Sequence, residues 1–180
     1  MTQPSNSVKD HLLLERLSTD EYALVTGVLA SEALSKEWPQ AWAEMADDRL
    51  ALARGHLQIA ELIAGACRNV GWDPGGRSVI SRAYYAMFSA VRAAVALEIR
   101  ADENDHKKLP AVLAKTTSLG PTDLREKVGS TLGRFRQARN DADYSAYYRF
   151  PLEEHAQEAL AAADMVLRVC KGWVATSKAK

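Results

Sequence analysis

Residues 77–100 read RSVISRAYYAMFSAVRAAVALEIR, the most apolar helical pattern in the chain. At about 100° per residue, Ile80, Tyr84, Met87, Val91 and Val95 share one face, while Tyr85, Phe88 and Ile99 fall outside it. A helix that is apolar most of the way round buries more than one side. It is either the central helix of a bundle or a helix that also meets a partner subunit.

The flanking sequence supplies the rest of an all-α, antiparallel up-and-down helical bundle. No segment alternates at the period of a strand, and helices joined by short loops favour antiparallel neighbours. Ser18 to Glu21 has the spacing of a capping box, which predicts a helix toward Leu34. Pro39 suits the first turn of a second helix that ends at Gly71 and the turn DPGG. Past residue 100, HKKLPAVLAKTTSL gives a short helix and Gly120-Pro121 a break. PTDLREKVGSTLGRFRQARNDA forms a longer helix, and Pro151 opens the last one. The domain boundaries read as an N-terminal helical extension over 1–45, a bundle over 46–174 and a disordered tail over 175–180. Trp38 and Trp42, one helical turn apart, are placed to anchor the extension on the bundle.

Composition narrows the function classes. The 180 residues carry 23 Lys+Arg and 23 Asp+Glu, so the formal charge is zero. That argues against strong non-specific binding to a polyanion, although a local basic patch remains open. Cys67 and Cys170 form no CxxC pair, and His11, His56, His106 and His155 show no ligand spacing, so neither a structural zinc site nor a cofactor is expected. No run approaches a membrane span and no leader pattern opens the chain, which reads as cytoplasmic.

The run RFRQARNDADYSAYYRF (residues 134–150) carries the chemistry. On its helix Leu124, Val128, Leu132, Phe135 and Ala142 fall within one quarter of the circumference, and Arg139 lies among them. Arg136 and Asp143 sit at the edge of that stripe; Lys127, Arg134 and Asn140 point away. A buried guanidinium is costly unless paired. Arg139 is then half of an internal ion pair, for instance with an aspartate on a neighbouring helix, or an anion contact in a cleft, since its fork of donors suits phosphate. Arg125, Lys127, Arg134, Arg136, Arg139 and Arg149 make the region locally basic. Interleaved with Phe135, Tyr144, Tyr147 and Tyr148, they offer a surface for single-stranded RNA, or simply a solvated face.

SRAYYAMFSAVRAAV (81–95), the histidine loop at DHKKL (105–109) and RNDADY (139–144), taken together, resemble the HEPN domain family, over roughly Ala46 to Trp173. The resemblance implies a helical bundle that forms a homodimer through the YYAMF helix and the helix bearing Arg139, the arginine motifs of two subunits facing a shared cleft. It also implies a metal-independent ribonuclease or RNA-binding component of a toxin–antitoxin or defence system. In that family an arginine and its polar neighbour precede a histidine: the arginine neutralises the phosphate and the histidine takes the proton of the ribose 2′-hydroxyl. Arg139 and Asn140 match, and Tyr144 stands where the histidine would be. His106, from the preceding loop, and His155, which follows Arg149 at a permitted spacing, are the candidates to replace it. A catalytically silent interaction module that binds a protein or nucleotide in the same cleft is the alternative. The resemblance also suggests a cognate antitoxin or nucleotidyltransferase as partner, with Tyr144, Tyr147 or Tyr148 as the modified residue.

A competing pattern overlaps this one. Gly129-Ser130 followed by Asp141 and Asp143 looks like the GS…DxD signature of minimal nucleotidyltransferases, where a Gly-Ser turn holds the triphosphate and the aspartates bind magnesium. That signature needs strands on both sides. On a continuous helix the two aspartates diverge by about 200°.

Overall fold

The computed structural model describes residues 32–73 and 75–179. Over these the chain forms α1 (Glu32–Val70), α2 (Gly76–Ile99), α3 (Leu109–Lys115), a 3-10 turn (Thr117–Leu119), α4 (Thr122–Tyr144) and α5 (Leu152–Lys178), with no strand. This is an all-α, up-and-down helical bundle with an N-terminal helical extension.

Residues 77–100 supply the central helix of the bundle. α2 packs against α1, α4 and α5 and touches α3. Ile80, Tyr84, Met87, Val91 and Val95 are buried as the helical phase predicts, and Phe88 is buried too. Most of the apolar surface of this helix is thus packed within the chain, with Ile99 left exposed at its end. Its alanines at 83, 86, 90, 93, 94 and 96 are almost solvent-free, which lets the neighbouring helices approach on several sides. The helix stops where Arg100 takes a left-handed backbone conformation (φ 51°).

α1 differs from its expected boundaries. It is a single helix of 39 residues, about 58 Å long at 1.5 Å per residue, with Pro39 exposed inside it rather than opening it. Proline removes one backbone hydrogen bond, but Ala41, Trp42, Met45 and Ala46 are all buried just beyond it, and that packing carries the helix through. Trp42 and Met45 form a small cluster with Ala96 at the far end of α2, so Trp42 does anchor this end of α1. The division read between residues 45 and 46 falls inside the continuous helix. The helix expected from Ser18 lies outside the described residues, apart from its last positions, which belong to α1, and so does the Trp38 side chain.

The chain end is also corrected. α5 runs through Lys178, where a disordered tail was expected from 175. Lys178 Nζ lies 2.5 Å from Asp47 Oδ2 on α1, and Ser177 donates to Glu98 Oε2 on α2 at 2.6 Å. No helix among the described residues is long and apolar enough to cross a membrane.

The break at Gly120 is a true backbone requirement. Gly120 has φ 148° and ψ −169°, a region open essentially to glycine. A Cβ there would also meet Trp173 Nε1 at 2.9 Å. Gly120→Ala is expected to lower stability by about 1–3 kcal/mol in urea unfolding; an unchanged midpoint would contradict this. Next to it, Arg125 is buried and donates to the carbonyls of Gly120 (3.0 Å) and Ala114 and to Thr122 Oγ1 (3.0 Å). Arg125 therefore ties α3 to the start of α4 and leaves the basic surface expected of it.

Candidate nucleic-acid cleft

Arg139 occupies the stripe assigned by helical phase but is only half-buried, with 19% of its side chain exposed. Its acid partner is Asp143 on the same helix, Nε to Oδ2 at 2.8 Å, not an aspartate from a neighbour. One terminal nitrogen donates to the Tyr85 hydroxyl, from α2, and the other to Asn140 Oδ1 at 3.1 Å. The guanidinium lies between two rings, 5.2 Å from the centroid of Tyr85 and 5.3 Å from that of Tyr144. Burial works against its charge, but Tyr85 and Asp143 outweigh that and raise its pKa on balance. Arg139 is thus an oriented, permanently charged group with one side open.

His106 reaches the same cleft from the loop between α2 and α3. Two arginines pin the start of that loop: Arg92 pairs bidentately with Asp102, and Arg49 of α1 lies 2.9 Å from Asp102 Oδ2. Asp102 and Arg49 are almost fully buried, at 3% and 4% side-chain exposure. Further along, Asp105 accepts from the Lys107 amide at 2.7 Å, and its own amide donates to Glu103 at 2.9 Å. His106 then stacks on Phe88, centroids 3.9 Å apart, and its Nδ1 lies 2.6 Å from the Tyr84 hydroxyl. Burial first, and the Arg139 charge second, hold the His106 pKa below the usual histidine value. Burial likewise pushes the Tyr84 phenol up. Tyr84, Asp105, His106, Lys107, Arg136, Arg139 and Asn140 line a cleft of about 420 Å³.

The sequence-predicted candidates therefore separate. Arg139, Asn140 and His106 come together, although helical phase pointed Asn140 away from Arg139. Tyr144 lies beside Arg139, 74% exposed. His155 does not join them. It lines a different cavity, of about 570 Å³, with Arg134, Asp141, Arg149 and Phe150, and its Nδ1 is 2.6 Å from the Tyr148 hydroxyl. Burial pushes that phenol up to about 12. Arg149 is paired with Asp141 at 3.0 Å and Arg134 with Glu158, so the cations of that cavity already hold acids.

The overlapping nucleotidyltransferase pattern is not assembled. Gly129, Ser130, Asp141 and Asp143 all lie on the uninterrupted α4. Ser130 donates back to the Lys127 carbonyl at 3.1 Å, while Asp141 faces Arg149 and Asp143 faces Arg139. Helical geometry sends the two carboxylates to different partners. Among the described residues no group of three or more metal-ligating side chains converges.

Two participants had no signal in the sequence. One is the Asp102 clamp, which joins Arg92, ten residues back on α2, to Arg49 on α1. The other is His56 of α1, whose ring centroid lies 5.7 Å from that of Tyr85 and whose pKa is lowered by burial and then by Arg82.

A family model described as HEPN domain matches residues 76–173. No curated protein matches the chain. The match begins at the first residue of α2, later than the Ala46 expected from the motifs, so α1 lies outside it even though α1 packs along α2 and supplies Arg49 to the His106 loop. The matched stretch spans more than half of the chain, and with its all-helical bundle the chain belongs to the HEPN domain family.

Proposed function

We propose that the protein binds RNA at the Arg139 cleft and cleaves it without a metal ion, as a component of a toxin–antitoxin or defence system. The observation that carries this reading is the presence of Arg139 and His106 in one cleft. Arg139, with Asn140 and Arg136 beside it, holds a phosphodiester and balances the charge that builds on it. His106 takes the proton from the 2′-hydroxyl, so the 2′-oxygen attacks phosphorus and the 5′-oxygen leaves, taking a proton from solvent water. The products are a 2′,3′-cyclic phosphate and a 5′-hydroxyl. With Nδ1 turned to the Tyr84 oxygen, Nε2 is the nitrogen available to substrate. The lowered His106 pKa leaves more of this base neutral than an ordinary histidine at the same pH, so the loss of rate in acid should come at a lower pH than an ordinary histidine would give.

A second reading, a silent interaction module, draws on the same histidine. The stacking of His106 on Phe88 and its bond to Tyr84 also suit a purely structural role. The two readings part in one assay. An unstructured oligoribonucleotide incubated with the protein in EDTA should yield cyclic-phosphate ends, and RNA left intact at excess protein would favour the silent module.

A homodimer belongs to this proposal. With α2 buried, the apolar side chains left for a second copy include Leu52, Ile59, Leu62 and Val70, exposed on α1. His56 on the same helix touches Tyr85, so pairing along α1 would bring two clefts near each other. A cognate antitoxin or nucleotidyltransferase, acting on Tyr144, Tyr147 or Tyr148, would complete such a system; co-purification from the native host tests for it.

A further inference from the structure

The end of α4 is braced where a terminal turn next to an exposed loop would ordinarily fray. Arg77, in the first turn of α2, donates to the carbonyls of Ala142 (3.3 Å), Ser145 (2.5 Å) and Ala146 (3.2 Å). Ser81, one turn along α2, donates to Asp143 Oδ2 at 3.3 Å. The Ser145 amide closes the helix on the Asp141 carbonyl at 3.2 Å. The backbone from Ala142 to Ala146 is thereby fixed to the central helix.

Within this braced segment Tyr144 is the large side chain left in solvent, 74% exposed. Its ring carries the Arg139 guanidinium at 5.3 Å on one side. A rigid backbone, a cation behind the ring and a wide exposed surface are what a stacking partner for a flat aromatic group requires. Such a partner, seated on the free face, lies across the ring from the Arg139 guanidinium, within the reach of a single nucleotide.

We infer that Tyr144 is a base-stacking platform, which restricts the cleft to unpaired RNA. The inference rests on the RNA-binding reading given above and deepens it. The base stacked on Tyr144 belongs to a nucleotide beside the phosphate held by Arg139. In a duplex both faces of every internal base are already stacked, so only single-stranded or looped RNA offers a free face. Every base has a π-face, so the platform sets strandedness and not sequence. The side chain acts through its ring and not its hydroxyl, which explains how a tyrosine stands at a motif position where a proton-transferring histidine would be.

The test uses fluorescence anisotropy with a 2′-O-methyl oligoribonucleotide, which lacks the attacking hydroxyl, as a single strand and as its blunt duplex. The wild type should bind the single strand more tightly than the duplex. Tyr144→Ala should weaken single-strand binding roughly tenfold and leave duplex binding unchanged, while Tyr144→Phe should match the wild type. Circular dichroism should show all variants folded, since the side chain is exposed. If Tyr144→Ala binds the single strand like the wild type, or loses both forms equally because the ring merely holds Arg139, the platform is wrong. So it is if Tyr144→Phe behaves like the alanine variant. Arg139→Ala separates the two claims. Loss of single-strand binding there, with none in Tyr144→Ala, overturns the platform alone; a wild type that binds neither form overturns the RNA reading with it.

Discussion

Arg139→Ala is expected to lower the rate of RNA cleavage by about 10²–10³-fold while the protein stays folded, as for loss of one preorganised charge-stabilising group. The effect is large because the guanidinium is fixed on three sides, by Asp143, Tyr85 and Asn140, and open on the fourth. A group held in place needs no reorganisation as charge builds on the phosphate. The structural loss is small by comparison. Arg139 and Asp143 form a partly exposed pair one turn apart, worth at most about 1 kcal/mol. Arg139→Lys keeps the charge and loses the fork, so it should recover only part of the rate. Measured as kcat/KM in EDTA, an alanine variant within twofold of the wild type would contradict this assignment.

Asp102→Ala is expected to destabilise the fold by about 3–5 kcal/mol, the range for breaking a buried ion pair from one side. Removing the carboxylate leaves Arg49 and Arg92 facing each other across the space it filled, with Arg49 buried. In thermal unfolding this corresponds to a midpoint lower by roughly 10 °C for a chain of this size. Asp102→Asn keeps the shape without the charge and should fall in between. The loss also has a local reading. Asp102 begins the loop that delivers His106, and Arg49 reaches it from α1, outside the family match. Cleavage by the alanine variant should therefore drop even at temperatures where it is folded. A midpoint within 2 °C of the wild type, measured to about that precision, would show that the clamp contributes little.

What the sequence made legible follows from which interactions are local. Arg139 could be placed because helical phase needs only its own neighbours: Val128, Leu132 and Phe135 are buried on the side where spacing put them. The divergence of Asp141 and Asp143 followed from the same period. Where the outcome depended on distant residues, the reading failed or stayed open. Pro39 looked like a helix start because nothing nearby announced that Trp42 and Met45 would bury against Ala96. Arg125 looked like one more surface charge because its three acceptors are set by the turn at Gly120. The tail looked disordered because its anchors, Asp47 and Glu98, belong to other helices. His106 was only one of two candidates to replace the motif histidine. Its place in the cleft depends on a loop clamped by Arg49 and Arg92, and on Tyr84 and Phe88 to seat the ring.

The central claim is that Arg139 and His106 act together on RNA in one cleft. Its most direct test compares wild type with His106→Ala on an unstructured oligoribonucleotide in EDTA, with both proteins shown to be folded. The account predicts cyclic-phosphate products from the wild type and a rate about 10²–10⁴-fold lower from the variant, the usual contribution of a positioned base. Equal rates from the two proteins, or no cleavage by the wild type, would contradict it.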